Sequence, residues 1–200
     1  MDQHSLEQQR LPEASQQQDA PISQTKASLK QYLFLFGIAA LIIILDQLTK
    51  FQVRSTLSVG KSWMPWAWLA PFARIVHWKN TGAAFGLFQN ASTVLAILAV
   101  LISIMVIAYY HHIPVEEKLM RTALAMMLGG AIGNLIDRLT LGYVVDFISV
   151  GTFPVFNVAD SCITVGVGIL LLAMWISENR AKKAAAETLQ QNNLGTGDQE

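Results

Sequence analysis

"ALIIILDQLTK", residues 40–50, is the stretch whose reading decides the fold. From Tyr32 to Leu45, 14 residues run without a polar interruption. That is about 21 Å of helix at 1.5 Å per residue. A hydrocarbon layer of about 30 Å needs about 20 residues. A helix that crosses must therefore continue through Asp46 toward Lys50, and it carries a carboxylate to lipid depth.

The rest of the composition agrees. The 200 residues are 52% hydrophobic and only 14% charged, with a mean hydropathy of +0.39. A soluble domain carries about a quarter charged residues, so the deficit points to a membrane protein. The formal net charge is zero, which leaves no bulk field to attract nucleic acid, and no nucleic-acid partner is expected. The single cysteine, Cys162, allows neither an internal disulfide nor a multi-cysteine metal site.

Four apolar spans are predicted, at about 31–50, 91–110, 119–139 and 158–177. Four crossings place both termini on one side. Residues 1–28 are polar and Gln-rich and are expected to form a disordered tail, without the apolar core of a secretory signal. Residues 29–178 form the membrane domain, and 179–200 a helical extension decaying into a polar tail. Between spans one and two, "SWMPWAWLAPF" (62–72) clusters three tryptophans, as a segment at the lipid interface does. The following "FARIVHWKN" (72–80) predicts a short strand or two, and "NTGAAFG" (80–86) a turn. Basic residues do not fix the orientation: seven lie on the side of the termini and six on the other.

The acids are more informative. Spans one and three run in the same direction and end in Asp46 and Asp137; span four runs back and begins with Asp160. All three fall at one membrane face, and Asp146, read as part of the short loop between spans three and four, joins them. Ionisable groups at that depth mark a functional site by default. Structural readings stand beside the functional ones. Asp46 and Lys50 have the i,i+4 spacing of an ion pair. Gly129 and Gly133 in "GGAIGN" form a small-xxx-small helix-packing pattern. Asn134, Asp137 and Arg138 share a helix face and suit a polar network that closes the helix end. Asn157 can cap the last helix, with Asp160 three residues on. Asp146, in "YVVDFI", has apolar flanks and no adjacent cation, which raises its pKa. Two carboxylates in unlike surroundings suit acid/base chemistry.

Other chemistries find less support. His77, His111 and His112 form no metal motif, and Ser161 with Lys50 or Lys79 as a Ser-Lys nucleophile has no motif behind it. A proton- or cation-coupled transporter also buries acids, but these cluster at one face, and no internal repeat relates the halves. A non-enzymatic scaffold built on small-residue helix contacts is a third reading.

Five blocks in order resemble the bacterial lipoprotein signal peptidases (signal peptidase II): "DQLTK" (46–50), "NTGAAFG" (80–86), "GGAIGNLIDR" (129–138), "VVDF" (144–147) and "FNVAD" (156–160). The resemblance implies an all-α membrane protein of four transmembrane helices, with a small β-containing periplasmic segment between helices one and two. It implies an aspartic endopeptidase of the bacterial inner membrane, with cytoplasmic termini and its site near the periplasmic face. Its substrates would be prolipoproteins, cut just before a cysteine carrying a diacylglyceryl group. By motif match the catalytic pair would be Asp146 and Asp160. The supporting residues would be Asp46, Lys50, Asn80, Gly82, Asn134, Asp137, Arg138 and Asn157. A water bridging the two acids would attack the scissile carbonyl, and the Trp-rich segment would cover the site. No metal or cofactor is implied, membrane lipid is the other expected partner, and the chain is expected to act as a monomer.

Overall fold

The structure is a computed structural model and describes residues 29–82 and 90–196. The predicted N-terminal tail, the end of the "NTGAAFG" turn and the last four residues lie outside the described residues. Among the described residues, four helices are long and apolar enough to cross a membrane. They are α1 (Leu29–Thr56), α2 (Ser92–Tyr109, extended by a short 3-10 turn to His112), α3 (Lys118–Leu141) and α4 (Val158–Thr196). Each predicted span falls on one of them. The helices overrun the predicted limits where polar residues keep helical geometry beyond the apolar run. α1 carries ten residues past Asp46, and α4 continues through the charged stretch after Ser177.

α3 is the central helix and packs against α1, α2 and α4. Its glycines make this approach possible. A Cβ on Gly129 would lie 2.9 Å from the Ala39 carbonyl of α1, so only the bare backbone fits there. The outer faces of α1, α2 and α4 expose Phe34, Leu41, Ile44, Val94, Leu101, Leu171 and Trp175. Such faces are stable against lipid and not against water. Toward the end of the bundle where the chain enters α1, Leu35 and Ala39 pack with Val106, Tyr110, Leu124 and Leu128.

At the other end sits a three-stranded antiparallel sheet of order β1-β2-β3, formed by Ser62–Trp63, Ala73–Asn80 and Val144–Val150. The predicted strand is β2. β3 is a correction: residues 144–150 are not a loop but a strand. Gly142, at φ 80°, ends α3 in a left-handed turn, and the chain leaves directly into pairing with β2. In β3, Val145 and Phe147 point into a second core with Val53. Asp146 between them therefore points the opposite way. The apolar flanks of Asp146 are the buried face of a strand.

Candidate active site

Asp46, Asp137, Asp146 and Asp160 come from three helices and one strand, and their side chains join one hydrogen-bonded network. α1 supplies Asp46 and Lys50, one turn apart. The Lys50 Nζ lies 2.8 Å from Asp46 Oδ2 and 3.1 Å from Asp137 Oδ2, and it donates to Asn134 Oδ1 at 2.9 Å. All three donors of the ammonium are thereby used. Lys50 is 1% exposed and Asp46 fully buried. The pair is thus more than the interfacial i,i+4 bridge that spacing suggests, because the second carboxylate comes from α3.

α3 places Asn134, Asp137 and Arg138 on one face. Asn134 Nδ2 donates to Asp160 Oδ1 at 2.7 Å. Asp137 Oδ2 accepts the backbone N–H of Val145 at 3.0 Å. Arg138 donates to the Asn134 carbonyl at 3.3 Å and to the Gly82 carbonyl at 3.4 Å, which ties the helix end to the chain leaving β2. Gly82 is held in turn by its N–H on Asn80 Oδ1 at 2.9 Å.

The start of α4 carries the capping arrangement expected from sequence. The Asp160 N–H donates to Asn157 Oδ1, and the Asn157 N–H donates to Asp160 Oδ2. Fully buried Asn157 also donates through Nδ2 to Asp146 Oδ1 at 2.8 Å and to Asn134 Oδ1 at 3.0 Å. Asn80, at the end of β2, donates to Asp146 Oδ2 at 2.9 Å. Both oxygens of Asp146 are thus held by neutral amides, with no cation in contact among the described residues. Burial pushes the Asp146 carboxyl up and the nearby Asp160 charge adds to this, to about 7, against the hydrogen bonds from Asn80 and Asn157.

Asp146 and Asp160 both line a cleft of about 660 Å3. Its polar floor includes Asn80, Asn134 and Arg138; its walls include Leu98 and Ile102 of α2 and Ile163 of α4. A polar floor under apolar walls is what an extended peptide segment with an apolar flank needs. The Trp-rich segment does not cover it. Trp63, Trp66 and Trp68 are exposed, and among the described residues no tryptophan lines this cleft. Trp63 instead borders a separate groove of about 610 Å3 with Val53, Leu57, Ile75 and Phe147. Trp63 pairs with Ile75 in the sheet, and Phe147 lies on the opposite face of β3 from Asp146, so strand alternation separates the groove from the acids.

One site residue escaped the sequence reading. Gln47 Nε2 lies 3.1 Å from Asp137 Oδ1, 3.1 Å from the Gly133 carbonyl and 3.2 Å from Asp46 Oδ2. A neutral amide just past the apolar run, next to the acid, was the available signal.

The arrangement can now be set beside known proteins. A family model for signal peptidase (SPase) II matches residues 38–176. The chain belongs to the signal peptidase II family. It is a membrane-embedded peptidase of the class that removes signal peptides from prolipoproteins. The lipoprotein signal peptidase of Moorella thermoacetica is 44% identical over 133 residues, covering 66% of this chain and 87% of that protein. That of Acinetobacter baumannii (strain SDF) is 38% identical over 178 residues, covering 82% and 97%. A bacterial membrane enzyme solved by the in meso method at 2.3 Å superposes with a TM-score of 0.65 at 30% identity, covering 74% of this chain and 90% of that one. All five sequence blocks lie within the matched region.

Proposed function

We propose that Asp146 and Asp160 are the catalytic pair of an aspartic endopeptidase. Its substrates are diacylglyceryl-modified prolipoproteins, cut on the N-terminal side of the lipidated cysteine. The observation that carries this reading is the Asn134–Asn157 pair, which links both carboxylates into one network on the floor of an apolar cleft. Two carboxylates that line one cleft and repel one another resist double ionisation and share one proton. Asp146, the more deeply buried of the two at 1% exposure, carries it. Asp160 takes a proton from a water as the water oxygen bonds to the scissile carbonyl carbon, and Asp146 protonates the carbonyl oxygen. Asp160 then delivers its proton to the cysteine amine as the C–N bond breaks. The signal peptide leaves as a carboxylic acid, and Asp146 recovers its proton from the collapsing diol.

Asn80, Asn134, Asn157 and Arg138 hold this geometry through the contacts above, and Asp46, Lys50 and Asp137 support it from beneath. Residues 29–178 form the peptidase unit. It acts as a monomer in the bacterial inner membrane, with both termini cytoplasmic, the cleft near the periplasmic face and the lipid moiety of the substrate at the membrane interface. Purified protein should release the signal peptide from a diacylglyceryl-modified precursor and leave the unmodified precursor intact. D146N and D160N should fold and not cleave. Turnover by folded D146N near the wild-type rate would remove Asp146 from the mechanism, and equal cleavage of both precursors would remove the lipid from recognition.

A further inference from the structure

The two carboxylates outside the pair have a shared geometry. Asp46 Oδ1 accepts the N–H of Ala159 at 3.0 Å, and Asp137 Oδ2 accepts the N–H of Val145 at 3.0 Å. Ala159 immediately precedes Asp160, and Val145 immediately precedes Asp146. Each supporting acid therefore holds the backbone of the segment that presents one acid of the pair. Two donors join these supports. Lys50 bridges them but is saturated by Asp46, Asp137 and Asn134. Gln47 is the second bridge, and it alone reaches Asp137 Oδ1 among the described residues.

We propose that Gln47 is a positioning residue that sets the separation of Asp146 and Asp160 by pinning the carboxylates that hold Val145 and Ala159. This rests on the reading of Asp146 and Asp160 as the catalytic pair. With its three donors committed, Lys50 reaches only Oδ2 of Asp137, the oxygen that also accepts the Val145 N–H, and leaves Oδ1 to another donor. Gln47 holds the other oxygen and is itself anchored on the Gly133 carbonyl. An amide does this without adding charge, which matters where two carboxylates already share one ammonium. When Gln47 loses its donor, Asp137 rotates, the Val145 N–H is released and β3 drifts relative to the start of α4. Reacting groups displaced by about 1 Å lose up to a hundredfold in rate.

The test uses Q47M, which keeps length and removes the donor, and Q47N, which keeps the amide but shortens its reach. Both are assayed as full-length protein on a lipidated precursor, with D146N and D160N alongside. Both Gln47 variants should lose roughly tenfold to a hundredfold in kcat with KM within about twofold. The two limbs of the pH profile should also move toward each other, because a wider separation weakens the coupling that splits the pair's titration. The charged groups that face the pair (Lys50 and Asp46 on α1, Asp137 and Arg138 on α3) are unchanged in these variants, so movement of both limbs reports separation. Loss of turnover with unmoved limbs, an unchanged kcat, or failure of both variants to fold would overturn the role. Activity retained by D146N or D160N would instead overturn the assignment of the pair.

Discussion

Asn157 and Asp160 cap one another: the Asp160 N–H donates to Asn157 Oδ1 at 2.9 Å, and the Asn157 N–H donates to Asp160 Oδ2 at 3.3 Å. The exchange satisfies donors that the first turn of α4 would leave orphaned. It also fixes the side chain of an acid in the cleft. The helix cap and the proposed catalytic acid therefore share one turn.

Replacing Asn157 with Ala removes the cap, worth about 1 kcal/mol, and the Nδ2 donor to Asp146. The melting temperature should fall and cleavage should drop sharply. Asn157→Asp keeps a capping oxygen but sets a further carboxylate against Asp146. It should melt closer to wild type and still cleave poorly. An Asn157→Ala protein that matches wild type in both measurements would refute the coupling.

The Asp146 carboxyl, held near 7 chiefly by burial and then by Asp160, makes stability depend on pH with a definite sign. A carboxyl raised from its ordinary 3.8 favours the folded state fully below about pH 4, and this contribution is lost as pH rises through about 7. Wild type should therefore lose stability relative to D146N as pH rises across that window. Melts of both proteins between pH 4 and 8 measure the difference, and parallel curves would contradict it. Under the proposed mechanism, turnover should fall along the same rise, because the proton assigned to Asp146 is lost.

Lys50→Met should be among the most destabilising single changes. It leaves Asp46 and Asp137 buried without their ammonium, and a buried charge deprived of its partner costs about 3–5 kcal/mol. Adding Asp46→Asn should recover part of the lost thermal stability. A double variant no more stable than Lys50→Met would show that the ammonium acts through Asn134 instead.

Gly133→Ala tests close packing at the same point. A Cβ there would lie 2.8 Å from Asp46 Oδ2, the oxygen paired with Lys50, and would displace the carboxylate. Overpacking of this kind costs about 1–3 kcal/mol, so the melting temperature should drop. Gly37→Ala, where a Cβ meets nothing within 4 Å, is the matched control and should not lower it.

Much of this was legible without coordinates. The four spans follow from counting apolar residues against membrane thickness, and the level of the acids from where those runs stop. The Asp46–Lys50 pair and the Asn157–Asp160 cap lie four and three residues apart, and helix geometry alone brings them together. The strand at 144–150 was not legible. An apolar run of that length between two helices carries no period that separates a short strand from a loop, and its β2 partners lie about 70 residues earlier.

Sequence by itself determined that this chain crosses a membrane four times and gathers acids at one level. Both properties are set by local composition and helix rise. Only the tertiary structure decided which groups the acids face. Asp46 meets the N–H of Ala159 across 113 residues, Gln47 meets Gly133 across 86, and Lys50 gains Asp137 from α3. Those partners depend on how far each helix is turned about its axis, on how closely the α3 glycines let its neighbours approach, and on the register of β3 against β2. Packing of the whole bundle sets all three, and no local run of residues encodes them.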